Sequence, residues 1–129
     1  MALNYTIIER KNLNDLTAPV KYYAIAKRLG EMTLRELAER ISEMSTLSSI
    51  DIMAVLEALL KVIPKELSKG NTVRLGDFGS FYPTIKSEGS EVEEEFNESL
   101  INKTNIKFRP GHEVKNVLNN IQYQKIKLN

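Results

Sequence analysis

His112, Asp77 and the glutamates between residues 88 and 98 are the side chains of this 129-residue sequence whose types could carry catalysis or hold a metal ion. His112 is the sole histidine, and catalytic duty would require an activated nucleophile or a carboxylate within its reach. Directly after Pro110-Gly111 it reads instead as a solvated residue at a helix start. Asp77, between Gly76 and Gly79, reads as a turn residue that bonds nearby backbone amides. Glu88, Glu91, Glu93, Glu94, Glu95 and Glu98 offer oxygen ligands, but they lack the loop spacing with a central glycine of a calcium motif, so a solvated loop is expected. The letters "GDFG" (76–79) occur in the Mg²⁺ motif of kinases, yet no other kinase signature and no glycine-rich phosphate loop accompanies them. The sequence has no cysteine, which excludes disulfides, thiol nucleophiles and thiolate-bound metals. These residues point to a non-enzymatic protein with no cofactor and no metal.

Polyanion binding is the chemistry the charged residues support better. A net charge of +1 conceals a sharp division along the chain. Residues 1–32 are net +2 and residues 33–85 net −1. Residues 86–99 set Lys86 against six glutamates, net −5, whereas 100–129 carry Lys103, Lys107, Arg109, Lys115, Lys125 and Lys127 against Glu113 alone, net +5. Basic ends can hold a polyanion even when an acidic insert cancels them in the average. Hydrophobic residues make up 42% and charged residues 27%, which suits a soluble domain with one modest core. No apolar run approaches the roughly 20 residues of a membrane span. The opening "MALNYTIIERKN" has no signal-peptide pattern, so a soluble cytoplasmic protein with no membrane partner is expected.

The elements that must position these charges can be read from periodicity. "NYTIIE" (4–9) is rich in strand formers, "KNLNDLTAP" (11–19) has loop composition, and "VKYYAIAKRLG" (20–30) leans to strand. "TLRELAERISEM" (33–44) opens with the capping-box pair Thr33 and Glu36 and spaces Leu34, Leu37, Ala38, Ile41 and Met44 as a helix does. A second helix starts at Ser48 or Ser49, ends before Gly70, and should kink at Pro64. Its apolar residues, including Leu56, Leu59 and Leu60, cover more than one face, which hints at a partner chain. In "VRLGDFGSFYP" (73–83), Val73, Leu75 and Phe78 suggest a strand, while Gly76 and Gly79 should weaken one and mark a bend or bulge. Ile106 and Phe108 alternate with Lys107 and Arg109, so "LINKTNIKFRP" (100–110) reads as a strand with a basic outer face. "HEVKNVLNNI" (112–121) follows as a short helix, and "QYQKIKLN" (122–129) as a polar tail.

Residues 33–129 resemble the HU/IHF-type histone-like DNA-binding proteins of bacteria. The pieces that carry the resemblance are "TLRELAERIS", "LSKGNTVRLGDFGSF" and "IKFRPGHEVKNVL". Gly76, Phe78, Gly79 and Phe81 stand where that family has Gly-Phe-Gly-x-Phe, with Asp77 as an extra residue. Phe108, Gly111 and Lys115 match the return strand and helix. The Tyr-rich extension before the first helix is similar to an HU-related branch of Bacteroides-type bacteria.

The resemblance implies an α+β fold: a helix pair, a three-stranded antiparallel sheet with a β-arm, a C-terminal helix and an intertwined homodimer. Residues 1–32 would be an N-terminal extension of strand and loop, and 33–129 the HU-like DNA-binding domain. Leu56, Leu59, Leu60, Phe78, Phe81 and Phe108 would form the dimer core. Arg74, Lys86, Lys103, Lys107, Arg109 and Lys115 would contact the phosphates of duplex DNA, with the arms in its minor groove and little sequence specificity. The expected role is that of an architectural, nucleoid-associated protein. One departure is large. The family's arm is basic and tipped with Arg-Asn-Pro, whereas here Pro83 lies at the base of the arm and the middle reads "SEGSEVEEEFNES". Six glutamates would repel a phosphate backbone. The alternative expectation is therefore a dimeric protein-interaction module whose acidic arm, 88–98, binds a protein partner or masks the DNA-binding face; Phe96 reads as a loop residue folded back on its own sheet or, failing that, as the partner's anchor.

Overall fold

Among the described residues, strand formers towards both ends of the chain and helix formers between them fold into three α-helices and two small sheets. The computed structural model describes residues 2–127. The strands and helices are β1 (Ala2–Arg10), β2 (Lys21–Lys27), α1 (Leu34–Glu43), α2 (Ser49–Ser68), β3 (Val73–Arg74), β4 (Gly79–Ser87), β5 (Ile101–Pro110), α3 (His112–Asn119) and β6 (Gln122–Lys125). They divide into two compact units, residues 2–31 with 117–127, and residues 32–116.

In the first unit β1 is the central strand. It pairs antiparallel with β2 from Asn4↔Lys27 to Arg10↔Lys21, and parallel with β6 from Ala2↔Gln122 to Tyr5↔Lys125. The segment read as a polar tail thus supplies a strand; its last two residues, 128–129, lie outside the described residues. Side chains alternate across a strand, so Leu3, Tyr5 and Ile7 share one face and Thr6 and Ile8 the other. Thr6 is buried, and among the described residues its hydroxyl has no hydrogen-bond partner. A buried polar group left unpaired costs on the order of 1–3 kcal/mol. Thr6→Val keeps the branched shape and removes that group, so it is expected to raise the thermal midpoint by several degrees in a melting experiment.

The second unit begins with two capped helices. Thr33 Oγ1 accepts the Glu36 amide at 3.2 Å, the forward half of the capping box, and Ser48 Oγ accepts the Asp51 amide at 3.2 Å. α2 continues past Pro64 to Ser68, although proline's missing N–H deprives the Leu60 carbonyl of its intrahelical donor. It then closes in a Schellman arrangement: the Gly70 amide donates to Leu67 O at 3.0 Å and the Asn71 amide to Glu66 O at 3.2 Å. The Asn71 side chain and Lys69 both donate to the Glu66 carboxylate and hold it below the usual range. α1 packs along α2, and α2 against β3 and β4.

The stretch from Val73 to Pro83 resolves its own tension between strand formers and glycines. β3 pairs with β4 at Val73↔Phe81 and Arg74↔Ser80, and a single tight turn, Gly76–Phe78, separates the two strands. The turn is closed by backbone alone: Leu75 N donates to Gly79 O at 2.8 Å and Phe78 N to Leu75 O at 3.0 Å. The Asp77 carboxylate, expected to bond nearby amides, takes no part. Gly76 at φ +54° and Gly79 at φ +147° give the turn a backbone that other residues rarely adopt. The turn also re-phases the chain. Phe78 and Phe81, three residues apart, both reach Phe108, with ring centroids 5.4 and 4.8 Å away.

Among the described residues the buried apolar side chains are Ala38, Ile52 and Leu67. Leu60, Phe78 and Ile106 are about half exposed, at 53, 48 and 51%, and Val55, Val62 and Phe108 are also open to solvent. That is a thin core for a chain of this length.

Candidate nucleic-acid interface

The register of β4 and β5 decides what their alternating sequence presents. β4 pairs antiparallel with β5 from Gly79↔Pro110 to Ser87↔Ile101, with an irregularity between Lys86 and Ser87. Residues directly opposite in an antiparallel pair project to the same side. Ser80↔Arg109, Tyr82↔Lys107, Thr84↔Asn105 and Lys86↔Lys103 therefore share one face. Arg74, opposite Ser80 on β3, joins them. The other face carries Val73, Phe81, Pro83, Ile85, Ile106 and Phe108. Apart from Thr104, opposite Ile85, that side of the sheet is apolar, and the first is polar and cationic.

Five of the six basic residues singled out in the sequence, Arg74, Lys86, Lys103, Lys107 and Arg109, thus stand on a single face, all exposed and with no carboxylate among them. Lys115 does not join them; it lies on α3, outside the sheet. The face also holds residues not singled out. Tyr82 lies under Arg109, whose guanidinium carbon is 5.5 Å from the ring centroid, close enough for the ring to fix the cation's direction. Ser80, Thr84 and Asn105 add neutral hydrogen-bonding groups between the charges. Their two-residue spacing from the basic residues was the available signal. Lys86 and Lys103 face each other across the strands, an opposition of like charges that an anion would relieve.

Beyond that pair the chain turns acidic. The Glu88 amide donates to Leu100 O at 2.8 Å, and the segment contains the short turns Glu93–Glu95 and Glu98–Leu100. All six glutamates are exposed, and among the described residues none forms an ion pair with a strand lysine. Phe96, in their midst, is 42% exposed. Among the described residues no three histidine, aspartate or glutamate side chains gather into a metal-holding group.

The apolar residues assigned to a dimer core split into two groups. Phe78, Phe81 and Phe108 come together as one aromatic cluster, with Phe78 and Phe108 only partly covered. Leu56, Leu59 and Leu60 lie on α2, where Leu56 is half-buried and the other two are exposed.

Comparison with known proteins fits this architecture. A solved structure from Bacteroides vulgatus ATCC 8482, provisionally described as a bacterial DNA binding protein, has a similar fold, with a TM-score of 0.65 over 97% of this chain at 8% identity. The chain spans about half of that structure, 48% of its length. No curated protein matches the sequence. Among the described residues no helix is long and apolar enough to cross a membrane. The family model for HU domains fused to a wHTH, Ig or glycine-rich motif matches residues 1–125, and on that match the chain belongs to this HU-type family.

Proposed function

We propose that the protein is a non-enzymatic, architectural DNA-binding protein that acts as a homodimer and holds duplex DNA with little sequence specificity. The observation that carries this reading is the single cationic face of β3–β5: Arg74, Lys86, Lys103, Lys107 and Arg109 with no carboxylate among them. Cations aligned along a sheet neutralise successive phosphates and release their counterions, which gives affinity without sequence information. An arm of this kind follows the minor groove, where strands and flexible basic side chains fit. A gel-shift titration with random-sequence duplex at low salt tests the reading directly. A retarded complex is expected with any sequence of sufficient length, and no shift at low salt rejects it.

The apolar surface supports the dimer. A second copy laid on α2 and the Phe78–Phe81–Phe108 cluster would cover Leu59, Leu60, Phe78 and Phe108, which one chain leaves open. It would also set two cationic sheets on one assembly. Sedimentation equilibrium at micromolar concentration is expected to return twice the chain mass, and a monomer there would contradict this arrangement.

The acidic connection limits the contact. Glu91, Glu93, Glu94, Glu95 and Glu98 follow the last cationic pair, so DNA is held along the strands rather than at the end of the arm. Changing all five to glutamine is expected to tighten duplex binding by roughly tenfold at low salt and little at high salt, where such charges are screened. A second reading is favoured by Phe96, exposed within the glutamate run: a basic protein partner bound through 88–98. In that case the five-glutamine variant would lose the partner in a pull-down while leaving duplex affinity unchanged.

A further inference from the structure

The first unit carries a separate cluster of cations that the sheet of the second unit does not explain. Arg10, the last residue of β1, stands directly opposite Lys21, the first residue of β2. Like charges directly opposite each other destabilise an antiparallel pair. Lys11 follows at once in the connecting loop, and together with Asn12, Ala18, Pro19 and Tyr23 these three cations line a cleft of about 620 Å³.

Among the described residues no carboxylate lines that cleft. The two acidic residues nearest in sequence are both turned to other uses. Glu9 is opposite Tyr22, on the other face of the sheet. Asp15 is bound by its own loop, accepting the Thr17 hydroxyl at 2.6 Å and the Thr17 amide at 3.0 Å. Among the described residues the one ion pair is Lys69–Glu66, so Arg10, Lys11 and Lys21 have no acidic partner.

The cluster is also held in position. The Arg10 guanidinium carbon lies 5.7 Å from the centroid of the Tyr23 ring, a cation–π contact between two residues that line the cleft. The loop that forms the wall is fixed by Asn12 Oδ1, which accepts the Asn14 amide at 3.0 Å, and by the Ala18 amide donating to Asp15 O at 3.2 Å. A forked guanidinium beside two ammonium groups matches the oxygens of a phosphate group. The cleft is far larger than a bare phosphate ion, which leaves room for the sugars of a polymer on either side.

We propose that Arg10, Lys11 and Lys21 form a phosphate-binding site on the first unit, and that its ligand is a phosphodiester of a nucleic-acid backbone. The choice of polymer rests on the reading of the chain as a DNA-binding protein; the phosphate site itself does not.

The test is an amide-resolved NMR titration of the full chain with inorganic phosphate, exchanged against chloride at constant ionic strength. Saturable movement of the Arg10, Lys11, Lys21 and Tyr23 signals at millimolar phosphate is expected, and its loss in Arg10→Gln/Lys21→Gln. Movement that does not saturate, or that survives in this variant, overturns the site. A second titration adds short duplex to the Lys103→Glu/Lys107→Glu/Arg109→Glu chain, which keeps the first unit intact. The same signals should then respond at concentrations at least about tenfold lower than phosphate requires, because neighbouring phosphates add to the attraction. Saturation by phosphate with no response to duplex overturns the nucleic-acid assignment. The first titration contains no DNA, so its failure is distinct from a failure of the sheet face to bind duplex.

Discussion

The triple variant Lys103→Glu, Lys107→Glu, Arg109→Glu should lose duplex binding by more than about 100-fold at low salt. Each substitution turns an attraction to a phosphate into a repulsion. A pair of unit charges about 4 Å apart near a protein surface interacts by roughly 1–4 kcal/mol, and three such changes exceed the roughly 2.8 kcal/mol of a 100-fold loss. Lys103, Lys107 and Arg109 project from the same side of β5 and are exposed, so the fold does not depend on them. The thermal midpoint of the variant should therefore stay within a few degrees of the parent while the shifted band disappears. Retained binding would place the interface elsewhere on the molecule. A matched collapse of the melting curve would mean that the charges support the fold.

Gly79→Ala should act on the fold itself. A Cβ at this position would run into the Arg109 carbonyl and come within 2.6 Å of the Phe108 ring, and φ is +147°. Neither obstacle can move cheaply: the carbonyl belongs to the paired strand, and the ring sits between Phe78 and Phe81. The combined cost is on the order of 3 kcal/mol or more, enough to lower the midpoint by about 10 °C or to prevent folding. Gly89→Ala is the control. Nothing lies near a Cβ there, and its stability should be unchanged in the same melting experiment.

Local chemistry made parts of this structure legible in the sequence. Thr33 with Glu36, and Ser48 before Asp51, marked the two helix starts because a cap is settled within four residues. The alternation of Lys107 and Arg109 with Ile106 and Phe108 marked a two-faced strand for the same reason. Register is a different matter. That Arg74 and Lys86 belong to the same face as Arg109 follows only from the pairings Arg74↔Ser80 and Lys86↔Lys103, which no local pattern announces. The place of Tyr82 on that face rests on its pairing with Lys107 across the arm, which is equally non-local. β6 carries no strand signal in the sequence: Gln122, Tyr123, Gln124 and Lys125 show no alternation of apolar and polar residues, and their partners are Ala2 to Tyr5 at the other end of the chain. The sequence does not group the cations of the first unit, since ten residues separate Lys21 from Arg10 and only the strand pairing sets them opposite each other.

The central claim is that a row of phosphates is neutralised by the cationic face of β3–β5. The slope of the logarithm of the duplex association constant against the logarithm of salt concentration tests it most directly. Each neutralised phosphate contributes about −0.9 to that slope. Five cations on one sheet predict a slope of about −4 or steeper, falling by roughly 3 in the triple charge-reversal variant wherever binding can still be measured. Binding that barely changes with salt, or a slope that the triple variant leaves intact, would contradict the account.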